Sequence, residues 1–350
     1  MRVWVLFVLC VSMFAPHADY SAQAAQRTPR TSSVGGVVDV AAGYSFTAAL
    51  KSDGTVVVWG AGAALDVPEN LTNVTQIAAG WKHVMALKSD GTITVWGSGI
   101  DGEEIIPHTF DNSRIIAISA SRRHSAVLRS DGTVEAWGSN YYNELDGLDG
   151  LTNVVDFALG EQIYVALKGD GTVVGGYMSP PAGLQNVIAI SAGSSHAVAL
   201  KSDGTVVSWG ASLCSGTCFD PAIVPDEVSD IVAIQAGYFS TIAFKSDGTV
   251  VKWGYIDDGV DFVPFTAPSG LSNIIDADAD YSHAVALKSD GTIVTWGNDL
   301  YGAVTVPTIP SNTTAVKDIS VGWDHTIMLL SSGNVRVYGP NTCSQQSIPA

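Results

Sequence analysis

The sequence predicts an all-β fold in which one short unit recurs eight times, and three observations lead to this prediction. First, one segment keeps returning along the chain; its first copy runs Lys51-Ser52-Asp53-Gly54-Thr55-Val56-Val57-Val58-Trp59-Gly60. Second, the turn glycines of the copies lie 33 to 44 residues apart, which is typical of propeller blades. These glycines are Gly54, Gly91, Gly132, Gly171, Gly204, Gly248, Gly291 and Gly333. Third, 36 glycines and only 15% charged residues suit short strands joined by tight turns.

Each unit contains three strand-like runs, which in the second unit cover residues 74–79, 83–88 and 92–96. An Asp-Gly pair separates the second run from the third. Because this dipeptide tolerates positive φ angles, it predicts a two-residue type I′ hairpin in every unit. We therefore expect eight antiparallel meanders.

A variable stretch follows each Trp-Gly and often ends in Val-Pro, as at Val67-Pro68, Val224-Pro225, Val263-Pro264 and Val306-Pro307. Proline cannot donate to an inner ladder, so this stretch predicts an outermost fourth strand or an irregular substitute for it. The fourth unit has Gly176-Tyr177 in place of Trp-Gly. We expect that blade to be thin or distorted.

The combined pattern G-x-x-H-x-x-A-L-K-S-D-G-T-V-x-x-W-G resembles the RCC1 (regulator of chromosome condensation) repeat, from about Val37 to the C-terminus. The continuation Trp296-Gly297-Asn298-Asp299, followed by Val306-Pro307, is most similar to the compact bacterial members of that family, including the secreted β-lactamase-inhibitor type. The resemblance implies a β-propeller that works by binding. The family usually closes with seven blades, but the eight units favour eight blades here, with seven as the alternative.

The last unit ends in Tyr338-Gly339-Pro340-Asn341 and then Ser347-Ile348-Pro349, which matches the continuation of the repeat. The first unit lacks a preceding segment of this kind. We therefore expect the C-terminal segment to return beside the first unit and close the ring.

The N-terminus predicts an export signal, because Arg2 precedes an apolar run, residues 3–15, and small residues follow. Cleavage is expected near Ala24 or Ala25, which gives a signal peptide at 1–25, a linker at 26–36 and a propeller at 37–350. No later stretch is apolar for about 18 residues, so membrane insertion is not expected. The mature protein is predicted to be secreted, extracellular or periplasmic, and monomeric.

A formal charge of −17 argues against nucleic acid as a partner, because an acidic surface repels phosphate backbones. No cofactor motif is present, and no Cys or His cluster supplies the four ligands of a zinc site, so we expect neither cofactor nor metal. Cys214 and Cys218 are close enough in sequence to form a small disulfide loop, and the alternative is that both stay as thiols. Cys343 has no obvious partner in the sequence.

Successive turns of a meander alternate between the two ends of a blade. The G-x-x-H turns and the loops after Trp-Gly therefore share one end, the variable end, and the Asp-Gly turns share the other, the hairpin end. The variable end carries the aromatic residues that we predict to bind a partner, since large rigid aromatics are poor turn formers and common hot spots. They are Tyr44, Trp81, Tyr141, Tyr142, Tyr238, Phe239, Tyr281, Tyr301 and Trp323. Packing between blades is the alternative role.

Two repeated residue types are predicted to be structural. Histidine occupies the position eight residues before the turn glycine in five units, at His83, His124, His196, His283 and His325. Catalysis needs one distinctive histidine, whereas a histidine that recurs in most blades indicates a role in packing. We therefore predict no catalytic residue. The tryptophans of Trp-Gly are predicted to anchor blade packing; they are Trp59, Trp96, Trp137, Trp209, Trp253 and Trp296.

The sequence thus favours a non-catalytic, inhibitor-like or similar protein-binding module that uses an aromatic and acidic propeller face. The alternative is a lectin-like module in which the same aromatics stack on glycans. Guanine-nucleotide exchange on a small GTPase follows from the resemblance alone and is less favoured, because the chain is acidic and is predicted to be exported.

Overall fold

The structure is a computed structural model, and it describes residues 35–99, 101–107, 114–141, 143–148, 150–176, 178–210, 213–215, 217–219, 222–226, 228–257, 262–264, 267–268, 270–298, 304, 315–339, 344 and 346–349. Within these ranges each repeat forms one antiparallel sheet, of three strands in seven repeats and of four strands in the sixth. Over the same ranges there is no α-helix, and none of the helical structure is long and apolar enough to cross a membrane. The prediction of an all-β propeller with eight blades is confirmed.

The strands are numbered in chain order and grouped by blade. Blades 1 to 4 contain β1 (Val37–Ala42), β2 (Phe46–Lys51) and β3 (Val56–Gly60); β4 (Val74–Ala79), β5 (His83–Lys88) and β6 (Ile93–Gly97); β7 (Ile115–Ala120), β8 (His124–Arg129) and β9 (Val134–Gly138); and β10 (Val154–Leu159), β11 (Tyr164–Lys168) and β12 (Val173–Gly175). Blades 5 to 8 contain β13 (Val187–Ala192), β14 (His196–Lys201) and β15 (Val206–Gly210); β18 (Ile231–Ala236), β19 (Ser240–Lys245) and β20 (Val250–Asp257); β22 (Ile274–Ala279), β23 (His283–Lys288) and β24 (Ile293–Gly297); and β25 (Val316–Val321), β26 (Thr326–Leu330) and β27 (Val335–Tyr338). A short hairpin, β16 (Leu213–Ser215) and β17 (Thr217–Phe219), follows blade 5, β21 (Phe262–Pro264) follows β20, and a 3-10 turn, Ala63–Leu65, follows β3.

The Asp-Gly turns are not the predicted type I′ hairpins. In blade 1 the Gly54 N–H donates to the Lys51 carbonyl at 2.9 Å and the Lys51 N–H donates to the Thr55 carbonyl at 2.9 Å, which makes a three-residue loop. Gly54 has φ 79°, whereas Asp53 is not among the described residues with positive φ. The Asp53 carboxylate instead accepts from the Thr55 N–H at 3.0 Å and from the Thr55 hydroxyl at 2.6 Å. Because the aspartate caps the turn, only the glycine must adopt the left-handed conformation.

The predicted fourth strand forms in one place among the described residues. β21, which contains Val263 and Pro264, pairs with β20 in blade 6. The equivalent Val67-Pro68 and Val224-Pro225 lie outside strands, so the irregular alternative is the correct one there, and Val306-Pro307 lies outside the described residues. Blade 4 is thin as expected, since β12 has three residues where the third strand of blades 1, 2, 3, 5 and 7 has five.

The tryptophans of Trp-Gly join each blade to the blade before it. All six are only 4–7% exposed. The indole Nε1 of Trp96 donates to the Ala64 carbonyl at 2.9 Å, that of Trp137 to the Glu103 carbonyl at 3.0 Å, and that of Trp209 to the Met178 carbonyl at 3.1 Å. In each case the acceptor lies in the loop that follows the preceding blade. Burial of the indole, together with a hydrogen bond from its N–H in these three blades, explains why the repeat uses tryptophan there.

The ring closes between blades 8 and 1. The Val37 N–H donates to the Gly333 carbonyl at 3.1 Å, which repeats the bond from the Val74 N–H to the Gly54 carbonyl at 3.0 Å between blades 1 and 2. Ile348, from the C-terminal segment, is 8% exposed and belongs to one apolar cluster with Trp59. The C-terminal segment therefore packs on the first blade, as its sequence predicts.

The two cysteines after blade 5 face each other in the backbone register. Cys214 and Cys218 are paired residues of the hairpin β16–β17. Opposed residues of an antiparallel pair have Cα atoms about 4.5–5.5 Å apart, which falls in the range that a disulfide spans. The disulfide stays a prediction. The signal peptide, Tyr142, Tyr301 and Cys343 lie outside the described residues.

Candidate binding face at the variable end

The turns between the first and second strands meet at the propeller axis. Their side chains form what we call the axial ring: Tyr44, Trp81, Arg122, Glu161, Ser194, Tyr238, Tyr281 and Trp323. Neighbouring turns are joined by backbone hydrogen bonds, from the Tyr44 N–H to the Trp81 carbonyl at 3.2 Å and from the Ser194 N–H to the Tyr238 carbonyl at 2.9 Å. The loop after Trp-Gly lies at the same end, since the Ala61 N–H donates to the Ser45 carbonyl at 2.9 Å.

Aromatic side chains form one arc of the axial ring, across blades 6, 7, 8, 1 and 2. The ring centroids of Tyr281 and Trp323 are 4.6 Å apart with an interplanar angle of 18°, so the two side chains are stacked. Tyr44 lies 5.0 Å from Trp323 and meets Trp81 edge-on at 5.1 Å, and Tyr238 meets Tyr281 edge-on at 5.7 Å. Offset and edge-to-face pairs at these distances stabilise one another beyond the burial of their surfaces.

Charged and polar side chains complete the ring on the other side. The Arg122 guanidinium lies 4.1 Å from the centre of the Trp81 ring and pairs with Glu161, with 2.5 Å between Nη1 and Oε1. The other Glu161 oxygen accepts from the Tyr238 hydroxyl at 2.6 Å and from the Ser194 hydroxyl at 3.3 Å. Burial raises the pKa of Glu161, and the hydrogen bond from Tyr238 and the charge of Arg122 oppose that rise. The axial ring is therefore continuous around the axis.

The predicted binding residues differ in how much surface they offer. Trp81, Tyr238 and Phe239 are 7%, 2% and 3% exposed, so the ring and its neighbours cover them almost completely. Tyr44, Tyr281 and Trp323 are partly exposed, and Tyr141 is 82% exposed in the loop after blade 3. The structure thus brings together six of the predicted aromatics at the axis, namely Tyr44, Trp81, Tyr238, Phe239, Tyr281 and Trp323. The part of the axial ring that a partner can reach is the arc of Tyr281, Trp323 and Tyr44.

The repeated histidines are buried bridges between blades. His196 Nε2 and the Thr241 hydroxyl of the next blade are 3.0 Å apart, and His283 Nε2 and the Thr326 hydroxyl are also 3.0 Å apart. At the closure, His325 Nε2 lies 3.4 Å from the Thr47 hydroxyl. In each pair the residue that carries the hydroxyl comes directly after the position that matches the histidine in the next blade; Thr326, for example, follows His325. This pairing is visible in the sequence once blades are known to be neighbours.

His124 departs from this pattern in a way that the sequence analysis missed. Its Nδ1 lies 2.7 Å from the Ser121 hydroxyl and its Nε2 lies 3.1 Å from a Glu144 carboxylate oxygen. A serine, a histidine and a carboxylate in one chain are the components of an activated nucleophile. However, Ser121 is 1% exposed and the other two side chains are 2% exposed. No substrate can touch the serine, so the network is structural in this conformation.

Five aspartates near the axis also escaped the sequence analysis. We call them the axial carboxylates: Asp39, Asp156, Asp276, Asp278 and Asp318. They occupy the third or fifth position of a first strand, where side chains lie between the first strands of adjacent blades. Asp278 accepts from the Gln235 amide of blade 6 at 3.0 Å and from the Val321 N–H of blade 8 at 2.8 Å. The signal was an acidic residue in an otherwise apolar strand.

Burial raises the pKa of all five axial carboxylates, and the charge of a neighbouring carboxylate adds to the rise in three of them. Burial, followed by the charges of Asp318 and Asp278, raises the pKa of Asp276 to about 7. Burial raises the pKa of Asp39 and of Asp278 to about 6, and the charge of Asp318 adds to both shifts. Among the described residues, no group of three or more His, Cys, Asp or Glu side chains has the arrangement of a metal site.

Five segments match the family model of the regulator of chromosome condensation (RCC1) repeat, at residues 37–63, 74–103, 115–144, 187–215 and 316–345. RCC1 repeats are therefore detected in five of the eight blades. Each matched segment begins with the first strand of a blade, in blades 1, 2, 3, 5 and 8. The secreted bacterial subtype stays a prediction, and no curated protein matches the chain.

Solved structures with RCC1-type and related propellers share the fold. The ectodomain of the receptor kinase CR4 from Physcomitrella patens is 19% identical, over 88% of this chain and 74% of that chain, with a TM-score of 0.56. The CRINKLY WD40 ectodomain of ACR4 from Arabidopsis thaliana is 20% identical, over 75% and 96% of the chains, with a TM-score of 0.54. Prp20p from Saccharomyces cerevisiae is 20% identical, over 89% and 84%, with a TM-score of 0.52. At these identities the likeness concerns the fold alone.

Proposed function

We propose that this protein is an exported, non-catalytic module that binds a protein partner through the variable end. The observation that carries the proposal is the accessible arc of Tyr281, Trp323 and Tyr44. These side chains are held rigid by ring contacts at 4.6 and 5.0 Å and still keep part of their surface open. Rigid, partly exposed aromatics lose little entropy on binding, which is why they dominate protein interfaces.

Two further facts support a protein partner. Prp20p binds Gsp1p and histones, and Kap60 binds yeast RCC1 (Prp20), so propellers of this fold do engage proteins. The formal charge of −17 favours a partner with basic groups, since complementary charge steers association. Nucleotide exchange on a GTPase is not part of the proposal, because fold similarity does not carry an activity.

The test begins with cross-linking of the mature protein to components of its own growth medium, followed by identification of the partner and of the linked positions. We expect links to the variable end. Affinity for the purified partner should fall at least tenfold in Trp323→Ala and Tyr281→Ala, and stay unchanged in Val232→Ala, whose side chain is 59% exposed at the hairpin end. Unchanged binding in both aromatic variants would refute the proposal.

The alternative ligand is a glycan, because exposed aromatics such as Tyr141 also stack on sugar rings. A glycan array probed with the mature protein distinguishes the two. Specific hits that Trp323→Ala abolishes, without any protein partner, would replace the protein-binding proposal with the lectin-like one.

Export is a separate part of the proposal, and it rests on residues 1–25 of the sequence. N-terminal sequencing of the protein recovered from the medium or periplasm tests it. We expect the mature chain to begin directly after Ala24 or Ala25. Recovery of the intact chain from the cytoplasm alone would contradict it.

A further inference from the structure

The hairpin end carries a ring of eight exposed side chains, six of which are large and apolar. They occupy the second position of each first strand, and we call them the collar: Val38, Thr75, Ile116, Val155, Ile188, Val232, Ile275 and Lys317. Every first strand has an irregularity in its register between the first and third residues, so the collar residue is left out of the pairing. The bulge turns a β-branched side chain out of the sheet in seven of the eight blades.

The collar residues occupy equivalent positions around the axis, one in each blade. In seven blades the residue before the collar residue donates its N–H to the turn glycine of the preceding blade, as in the bond from the Ile115 N–H to the Gly91 carbonyl at 3.2 Å. At the closure of the ring two neighbouring members are in contact, since the Lys317 ammonium donates to the Val38 carbonyl at 3.4 Å. The collar therefore lies beside the Asp-Gly turns, at the end opposite to the axial ring.

The exposed apolar side chains of the collar are concentrated in one region, unlike the isolated ones found on any protein surface. Ten large hydrophobic side chains are exposed among the described residues, and six of them belong to the collar. Their exposed fractions are 40% for Val38 and 54–59% for Ile116, Val155, Ile188, Val232 and Ile275. Apolar groups concentrated on one ring mark an interaction surface, whereas isolated ones need no explanation.

The turns around the collar carry balanced charge. In blades 1 to 7 each turn supplies one cation and one anion: Lys51 and Asp53, Lys88 and Asp90, Arg129 and Asp131, Lys168 and Asp170, Lys201 and Asp203, Lys245 and Asp247, and Lys288 and Asp290. These turns are neutral in total within a chain of net charge −17. Two copies of the chain repel each other at most orientations, and this end is where their turns can approach with opposite charges facing.

We propose that the collar is the contact surface of a homodimer in which two propellers meet hairpin end to hairpin end. In a dimer with a two-fold axis, each contact occurs twice. The cation of a turn on one copy can therefore face the anion of a turn on the other copy, and the symmetry-related pair of turns makes the same contact. Six half-exposed side chains offer roughly 500 Å² of apolar surface per copy, and the turns around them extend the contact toward the ~800 Å² per partner of a stable interface. This dimer replaces the monomer expected from the sequence.

Sedimentation velocity of the mature protein over a concentration series tests the dimer. We expect a dimer that dissociates on dilution. Ile188→Asp should weaken it at least tenfold, because it adds a charge to an apolar contact between two copies. Ile105→Asp is the matched control, since Ile105 is 60% exposed at the variable end, and it should leave dimerisation unchanged. Far-UV circular dichroism and melting curves verify that both variants fold.

Three results would overturn the proposal. One is a monomer at every concentration up to about 100 µM, a weak-binding limit. The second is a dimer that Ile188→Asp leaves intact. The third is a monomeric protein whose Ile188→Asp variant loses a different partner, which would assign the collar to that partner. Trp323→Ala should not alter dimerisation, so failure of the dimer and failure of the proposed binding face are distinguishable.

Discussion

We expect Asp276 to make the stability of the propeller fall as the pH rises, and its replacement by asparagine should remove much of that dependence. Asp276 lies on the first strand of blade 7, with Asp278 on the same strand and Asp318 and Lys317 on the facing strand of blade 8. The first strand of blade 6 carries no ionisable side chain. Burial and the two neighbouring carboxylates raise the pKa of Asp276 to about 7. Asparagine keeps the size of the side chain and cannot ionise.

The sign follows from proton binding. The folded state holds the Asp276 proton up to about pH 7, whereas the unfolded chain releases it near pH 3.8. Stability from this group is therefore complete below pH 3.8 and declines as the pH rises through 7. A rise of this size is equivalent to about 4 kcal/mol. Because the side chain is partly exposed and titrates together with Asp278 and Asp318, we expect about 2 kcal/mol in a measurement.

Urea unfolding at pH 4.5 and pH 7.5 measures the effect. The free energy of unfolding of the natural protein should fall between the two values, and Asp276→Asn should reduce that fall by about 2 kcal/mol. Asp66→Asn is the control, because Asp66 is exposed in the loop after blade 1 and should leave the pH dependence unchanged. The reasoning is refuted if Asp276→Asn and the natural protein lose the same stability between pH 4.5 and pH 7.5.

Three further changes test contacts between blades. His196→Ala removes the hydrogen bond to Thr241 and should cost about 1–3 kcal/mol in chemical unfolding; an unchanged midpoint would contradict the bridging role. Arg122→Ala leaves the Glu161 carboxylate without its ion pair inside the axial ring, and the melting temperature should fall by an amount equivalent to about 3 kcal/mol; equal melting curves would show that the pair contributes nothing. Deletion of residues 344–350 removes Ile348 from the closing cluster and should cost about 2 kcal/mol, which hydrogen exchange would locate in blades 1 and 8.

The repeat period and the alternation within each unit were sufficient to predict the blades. The Trp-Gly tryptophans and the repeated histidines were predictable as structural residues, because a function that needs one site does not need the same residue in most blades. The hairpin type was not predictable from Asp-Gly alone. The Asp53 side chain caps its own turn through Thr55, and this local competition decides between a two-residue and a three-residue loop.

The candidate binding face was predicted in composition but not in exposure. The sequence places an aromatic residue at the same turn in five units, yet it does not state how far from the axis that turn lies. In the structure the turns converge, so Trp81 and Tyr238 are covered by their neighbours while Trp323 keeps an open surface. The pairing of Arg122 with Glu161 depends on the same convergence of adjacent blades.

The sequence by itself determined that this chain is a ring of eight similar β units with a uniform end and a diverse end, because a period of about 40 residues and a period of two within strands are local properties. Tertiary structure decided which side chains meet. Asp276 and Asp318 repel each other, Ile348 packs with Trp59, and the collar forms an annulus only because the first strands of separate blades stand side by side around one axis. Distance across that axis is fixed by blade packing, and no stretch of sequence records it.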